Sequence, residues 1–120
     1  MGQVPITSES GLGITVLQND GEVLVRLHGR TTVESSPDLR DRLLRVLTQE
    51  PSPRVVTVDL TGLTHIEVSG IATLIEALKI ARHRQMTFCL QGLVGSVLRL
   101  FEVTGVLALF TANDGGQKVS

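Results

Sequence analysis

Residues 54–70 read Arg54-Val55-Val56-Thr57-Val58-Asp59-Leu60-Thr61-Gly62-Leu63-Thr64-His65-Ile66-Glu67-Val68-Ser69-Gly70, and this stretch decides the fold. Arg54 to Leu60 is β-branched and alternating, the pattern of a strand with one face in a core. A loop is expected after it, and Ser69-Gly70 then opens a helix. Ile71, Leu74, Ile75 and Leu78 follow at i, i+3, i+4 and i+7, which lines one apolar face. A strand that hands over to an amphipathic helix is half of a parallel βαβ unit.

Upstream of it, Ile14 to Gln18 and Val23 to Leu27 flank Asn19-Asp20-Gly21, a two-strand turn signal, and predict an opening β-hairpin. Val23, Val25 and Leu27 fall on its core side; Arg26 and His28 fall on the other. Ser35-Ser36-Pro37-Asp38 then marks a helix start: Ser to cap an orphan N–H, Pro where its missing donor is harmless, Asp at the positive end. Leu39, Leu43, Val46 and Leu47 form the apolar stripe, Arg40, Asp41, Arg42 and Arg45 the wet one, and Pro51-Ser52-Pro53 stops the helix. Downstream, Thr87 to Leu90 reads as a strand. Val94, Val97, Leu98 and Phe101 mark a third helix closed by Gly105 in a left-handed conformation, and Val106 to Phe110 reads as a last strand. The expected order is β-β-α-β-α-β-α-β: one α/β domain over residues 14–110, a mixed sheet packed against helices, with a flexible lead-in at 1–13 and a flexible tail at 111–120.

Composition narrows the function. The chain has 120 residues, is 42% hydrophobic and contains three Phe but no Trp or Tyr, so its single core must be aliphatic. Eleven basic residues against twelve acidic ones leave a net charge of −1, without the basic stripe that nucleic acid requires. The scarcity of aromatic rings argues against stacking on single strands. The lone Cys89 allows no internal disulfide, and no Cys/His spacing suggests a metal site. Residues 1–11 lack the basic and apolar blocks of a signal peptide, and no apolar run approaches spanning length. The expectation is a cytoplasmic protein with no direct membrane insertion and no cofactor.

The segment Val58-Asp59-Leu60-Thr61-Gly62 and the helix opening Glu67-Val68-Ser69-Gly70-Ile71-Ala72-Thr73-Leu74 resemble the signature of the STAS domain family, anti-sigma-factor antagonist type. That signature is a strand ending V-D-L-S-G, a short loop, and D-S-S-G at a helix start. Val97 to Val106 resembles the family's third helix and final Gly, and Gly29 stands where the family has a Gly after its second strand. The resemblance covers roughly residues 14–110. It implies a non-enzymatic binding protein whose partner is an anti-sigma factor that is also a serine kinase. In such proteins the first Ser of D-S-S-G is phosphorylated by that partner, and the unphosphorylated form binds it.

This chain departs from the pattern at that position. The phosphoacceptor-equivalent residue is Val68, which has no hydroxyl, and Thr32 stands where many antagonists place an acidic, partner-facing residue. The resemblance implies a partner-binding set of Thr32, Thr64, His65, Glu67, Val68, Ser69 and Gly70. Ser69 has two compatible readings, N-cap of the second helix or displaced phosphoacceptor. Val68 reads equally as an apolar docking knob or as drift in a member without regulation. Glu67 suits a helix start whatever the function. It has no second carboxylate or His at helical spacing, so no catalytic residue is assigned. Asp59 is expected to fix the following loop through backbone N–H groups. His28, His65 and His83 are scattered, and Cys89 is expected to pack as a small hydrophobe. Arg82-His83-Arg84 suits a helix C-terminus, and Gly11-Leu12-Gly13 lacks the Lys and the helix of a phosphate loop. Two other readings stand beside the antagonist: a STAS subunit on the ATPase of an ABC-type lipid transporter, which needs no phosphoacceptor, and a component of a stress-signalling assembly.

Overall fold

The computed structural model describes residues 11–111. Residues 1–10 of the expected lead-in and 112–120 of the expected tail lie outside them, while Thr111, also assigned to that tail, ends a helix. Strands β1 (Leu12–Asn19) and β2 (Glu22–Thr31) form the hairpin, turning through Asp20 and Gly21 at φ 49° and 82°, a pair of left-handed residues that matches strand twist. Then follow α1 (Ser36–Thr48), β3 (Val55–Ile66), α2 (Val68–His83), β4 (Thr87–Gln91), α3 (Gly95–Val103) and α4 (Leu107–Thr111). The sheet order is β1-β2-β3-β4, with β1 antiparallel to β2 and the two later pairings parallel.

Among the described residues, all four helices share one core with one face of this sheet. Val23, Val25 and Leu27 of β2 lie beside Val56, Val58 and Leu60 of β3 and Phe88 and Leu90 of β4, all buried. From α1, Leu39, Leu43, Val46 and Leu47 meet them, as the periodicity predicts; from α2 come Ile71, Leu74, Ala77, Leu78 and Ala81, while Ile75 is only partly covered. Arg40 forks onto Glu76 with both N–O distances at 2.9 Å, joining α1 to α2 at the surface, where such a pair contributes little. The second sheet face carries Leu17, Leu24, Arg26 and Thr57, half-buried or exposed.

Three expectations need correction. First, β1 begins at Leu12, so residues 12 and 13 belong to the sheet and not to a lead-in. Second, no loop follows Leu60: β3 runs on to Ile66, because Gly29 to Thr31 of β2 continue to pair with Leu63 to Ile66 after register slips at Arg26/His28 and Gly29/Arg30. Third, Val106 to Phe110 is no strand. Gly105, at φ 77°, ends α3 and turns the chain, and Leu107 to Thr111 forms the short helix α4. A five-residue apolar run carries no decisive period, and Leu and Ala are strong helix formers. The outcome is set by Phe110, whose ring meets Phe101 edge-on at 6.0 Å and Phe88 at 6.4 Å inside the core.

Burial of Phe110 makes α4 a structural part of the domain. Phe110→Ala is expected to lower unfolding free energy by about 3–5 kcal/mol in urea titrations; a loss below about 1 kcal/mol would show that α4 is not packed as described.

Candidate functional site

The extended end of β3 delivers the chain to a corner where two helices begin. Beyond Asp59, β3 has lost β4 as a neighbour and pairs only with β2, so its last residues form a two-stranded ribbon. Glu67 N–H donates to Thr31 O at 3.0 Å and ends that ribbon. The Glu67 carbonyl then accepts from Gly70 N and Ile71 N, which makes Glu67, extended at φ −103° and ψ 169°, the N-cap residue of α2. Helix α1 starts next to it. Ser36 Oγ lies 2.8 Å from Thr32 O and 2.9 Å from Ser69 Oγ, with its single proton shared between the two acceptors, so one hydroxyl ties both helix starts to the β2–α1 connection.

Ser69 is therefore not the N-cap of α2. It is the second helical residue, half-buried, and its oxygen accepts from Ser36 while its carbonyl accepts from Thr73 Oγ1. Ser35 occupies the cap position of α1 but makes no side-chain cap. Its backbone is already helical, at φ −94° and ψ −11°, and its Oγ accepts from Thr32 N instead, at 2.8 Å. Gly70 is buried with its Cα against Thr31 Oγ1, where any Cβ would overlap that hydroxyl. Thr31 Oγ1 has no hydrogen-bond partner among the described residues, a local cost of bringing helix and strand this close.

The partner-facing residues expected from the sequence gather here, unequally exposed. Val68 is 67% exposed at the first turn of α2. The Glu67 carboxylate is half-exposed; one oxygen accepts from Val33 N at 3.1 Å and the other lies 3.4 Å from His65 Nε2. Thr64 is exposed and donates to Gly29 O, and Thr32 is half-buried. Gly70 contributes backbone only. The sequence reading missed Val33, which is 69% exposed and held to Glu67 through its N–H. Its one available signal was a valine placed between a strand end and a helix cap, where no apolar stripe claims it. The corner thus presents two apolar side chains around a carboxylate. Among the described residues no group of His, Cys, Asp and Glu could hold a metal ion, and no helix is long and apolar enough to cross a membrane.

Asp59 lies mid-strand, with Thr61 donating to it through N at 2.9 Å and through Oγ1 at 2.6 Å. It fixes the chain at the first register slip inside β3, and not the expected loop, through one backbone N–H and one hydroxyl, with Arg26 Nε at 3.6 Å on the other oxygen. Burial raises its pKa, but the hydrogen bonds from Thr61 and Gln91 and the charge of Arg26 together outweigh burial and leave it below the ordinary aspartate value. Cys89 is buried in β4, in keeping with the reading as a small hydrophobe.

The family model described as "Mlab, STAS domain" matches residues 14–111. The chain is 23% identical over 108 residues to an anti-sigma-B factor antagonist of Bacillus subtilis, covering 88% of this chain and 96% of that protein. Its fold is shared by the crystal structure of an anti-sigma factor antagonist from Mycobacterium paratuberculosis, with TM-score 0.72, 17% identity and coverage of 88% and 87% of the two chains. It is shared also by a sulfate transporter family protein from Wolinella succinogenes, with TM-score 0.65, 19% identity and coverage of 78% and 75%.

The lowered pKa of Asp59 gives a pH signature. A carboxyl group held below its unfolded pKa stabilises the fold above the unfolded value and loses that contribution as pH falls through the folded one. Urea titrations across this acid range are expected to show a steeper loss in the parent protein than in Asp59→Asn. Parallel curves would mean that the Thr61 and Gln91 contacts do not hold the charged form.

Proposed function

The chain belongs to the STAS domain family, and on that premise we propose that it acts as an antagonist-like regulatory binding module, without catalysis, that docks an anti-sigma factor of the serine-kinase type. The docking surface is the corner formed by Thr32, Thr64, His65, Glu67, Val68 and Ser69, with Gly70 beneath it. What carries the reading is the exposure of Val68 at the start of α2, the position at which the family signature has a serine. A side chain without a hydroxyl cannot receive phosphate, so the module stays competent to bind. Nothing replaces that acceptor directly: Ser69, one residue on, is half-buried with its oxygen engaged by Ser36.

Val68 also favours a second reading, in which the domain steadies the ATPase subunit of an ABC-type lipid transporter, where no phosphorylation is needed. The partner separates the two. Affinity capture on the tagged protein from its native lysate is expected to retain a soluble kinase-like protein, whereas an ATPase subunit of a membrane complex would establish the second reading.

Incubation with the captured kinase and ATP is expected to leave the intact mass unchanged; a stoichiometric phosphate mapped to Ser69 would show that the switch has moved by one residue. Val68→Asp sets a carboxylate into the apolar surface and is expected to weaken capture roughly tenfold or more, since a buried unpaired charge is costly. Unchanged recovery would place the interface elsewhere.

A further inference from the structure

β1 is an edge strand of eight residues, Leu12-Gly13-Ile14-Thr15-Val16-Leu17-Gln18-Asn19, and carries no charge, no proline and no bulge. Protein sheets ordinarily blunt such an edge with lysine, proline or a bulge, because its free N–H and C=O groups template further pairing. Within β1 itself none of those devices is present. The antiparallel alternation fixes which groups are free. Arg30 N donates to Gly11 O, and Gly11 stands one step beyond the Leu12–Gly29 pair, so the odd-numbered residues of β1 bond to β2. Leu12, Ile14, Val16 and Gln18 therefore turn their backbone groups outward.

The exposed strand is complementary to itself. With two copies antiparallel about a two-fold axis at Thr15, Leu12 falls opposite Gln18 of the second copy and Ile14 opposite Val16, all four with outward backbone groups. Ile14 and Val16 are only partly buried at the margin of the core, and this pairing would finish their cover. On the other face, Leu17, 46% exposed, falls opposite Gly13. Gly13 leaves room there for the ring of its own His28, against which Leu17 can pack. A large residue thus meets the small one, and no like charges meet anywhere along the strand.

We infer that this chain forms an isologous homodimer through its β1 edges, joining two sheets into one continuous eight-stranded sheet. The opposite edge is less suited, since β4 has only five residues. The inference does not rest on the proposed partner. Because β1 is separated from β3 and α2 by β2, a dimer keeps both Val68 corners free, and a partner that is itself dimeric would be gripped twice.

Sedimentation equilibrium of the full chain from about 1 µM to about 0.5 mM tests this. A reversible rise from 12.9 kDa to about 26 kDa is expected, with a dissociation constant on the order of 10 µM for so small an interface. Thr15→Lys places two ammonium groups opposite each other at the axis, and Leu17→Lys removes the contact with the second copy. Both side chains lie on the face away from the helices, so native circular dichroism should persist while association weakens at least roughly tenfold. Thr15→Cys should form an intermolecular disulfide under mild oxidation, because facing residues of a non-hydrogen-bonded pair stand about 4.5 Å apart at Cα. A mass of 12.9 kDa at every concentration, association unaffected by both lysine variants, or open-ended growth beyond a dimer would each overturn the inference.

Discussion

The rest of the structure depends on the pairing of the last third of β3 with the end of β2. Parallel strands in a four-stranded sheet commonly stop together; here β4 stops at Gln91 opposite Asp59 while β3 continues to Ile66. Two register slips and the Asp59–Thr61 contacts accommodate the extra length, and Gly62 lets the ribbon close against Leu27 and His28. Without that extension Glu67 would not reach Thr31, and α2 would begin inside the body of the sheet. With it, the helix start stands clear of the strands and next to the start of α1.

Two different chemistries hold that corner. Below the surface it is sealed by close packing: Gly70 on Thr31, with an orphan hydroxyl accepted as the cost, and Ser36 bridging two helix starts. Above the surface it displays Val33 and Val68, which stabilise nothing in the monomer. Burying either against a second molecule would gain on the order of 1.5–3 kcal/mol. The proposed docking role rests on this arrangement of a closely packed base under exposed apolar side chains, which would leave little ordering cost for binding.

Much of this was legible in the sequence. The hairpin, the α1 and α2 stripes and the core positions of β2 followed from period and turn chemistry, and the strand–helix signature located the corner. What could not be read depended on tertiary contacts. Thr61 to Ile66 lacks strict alternation, and it is strand only because β2 offers it a partner. Val106 to Phe110 has strand-like composition, yet the core side of the sheet holds Phe88 and Phe101 waiting for a ring. Ser35 and Ser69 are favoured cap residues at helix starts, but local conformation gave one a helical backbone and the other a place inside the first turn. Val33 was missed because its single signal, a valine that no apolar stripe claims, belongs to no periodic pattern.

Amide hydrogen exchange of the chain, alone and bound to the protein it captures, tests the central claim most directly. Protection on binding should concentrate on residues 32–34 and 67–70, with the β1–β2 hairpin unchanged. Protection confined to the far side of the sheet, with those two segments exchanging as in the free chain, would contradict it.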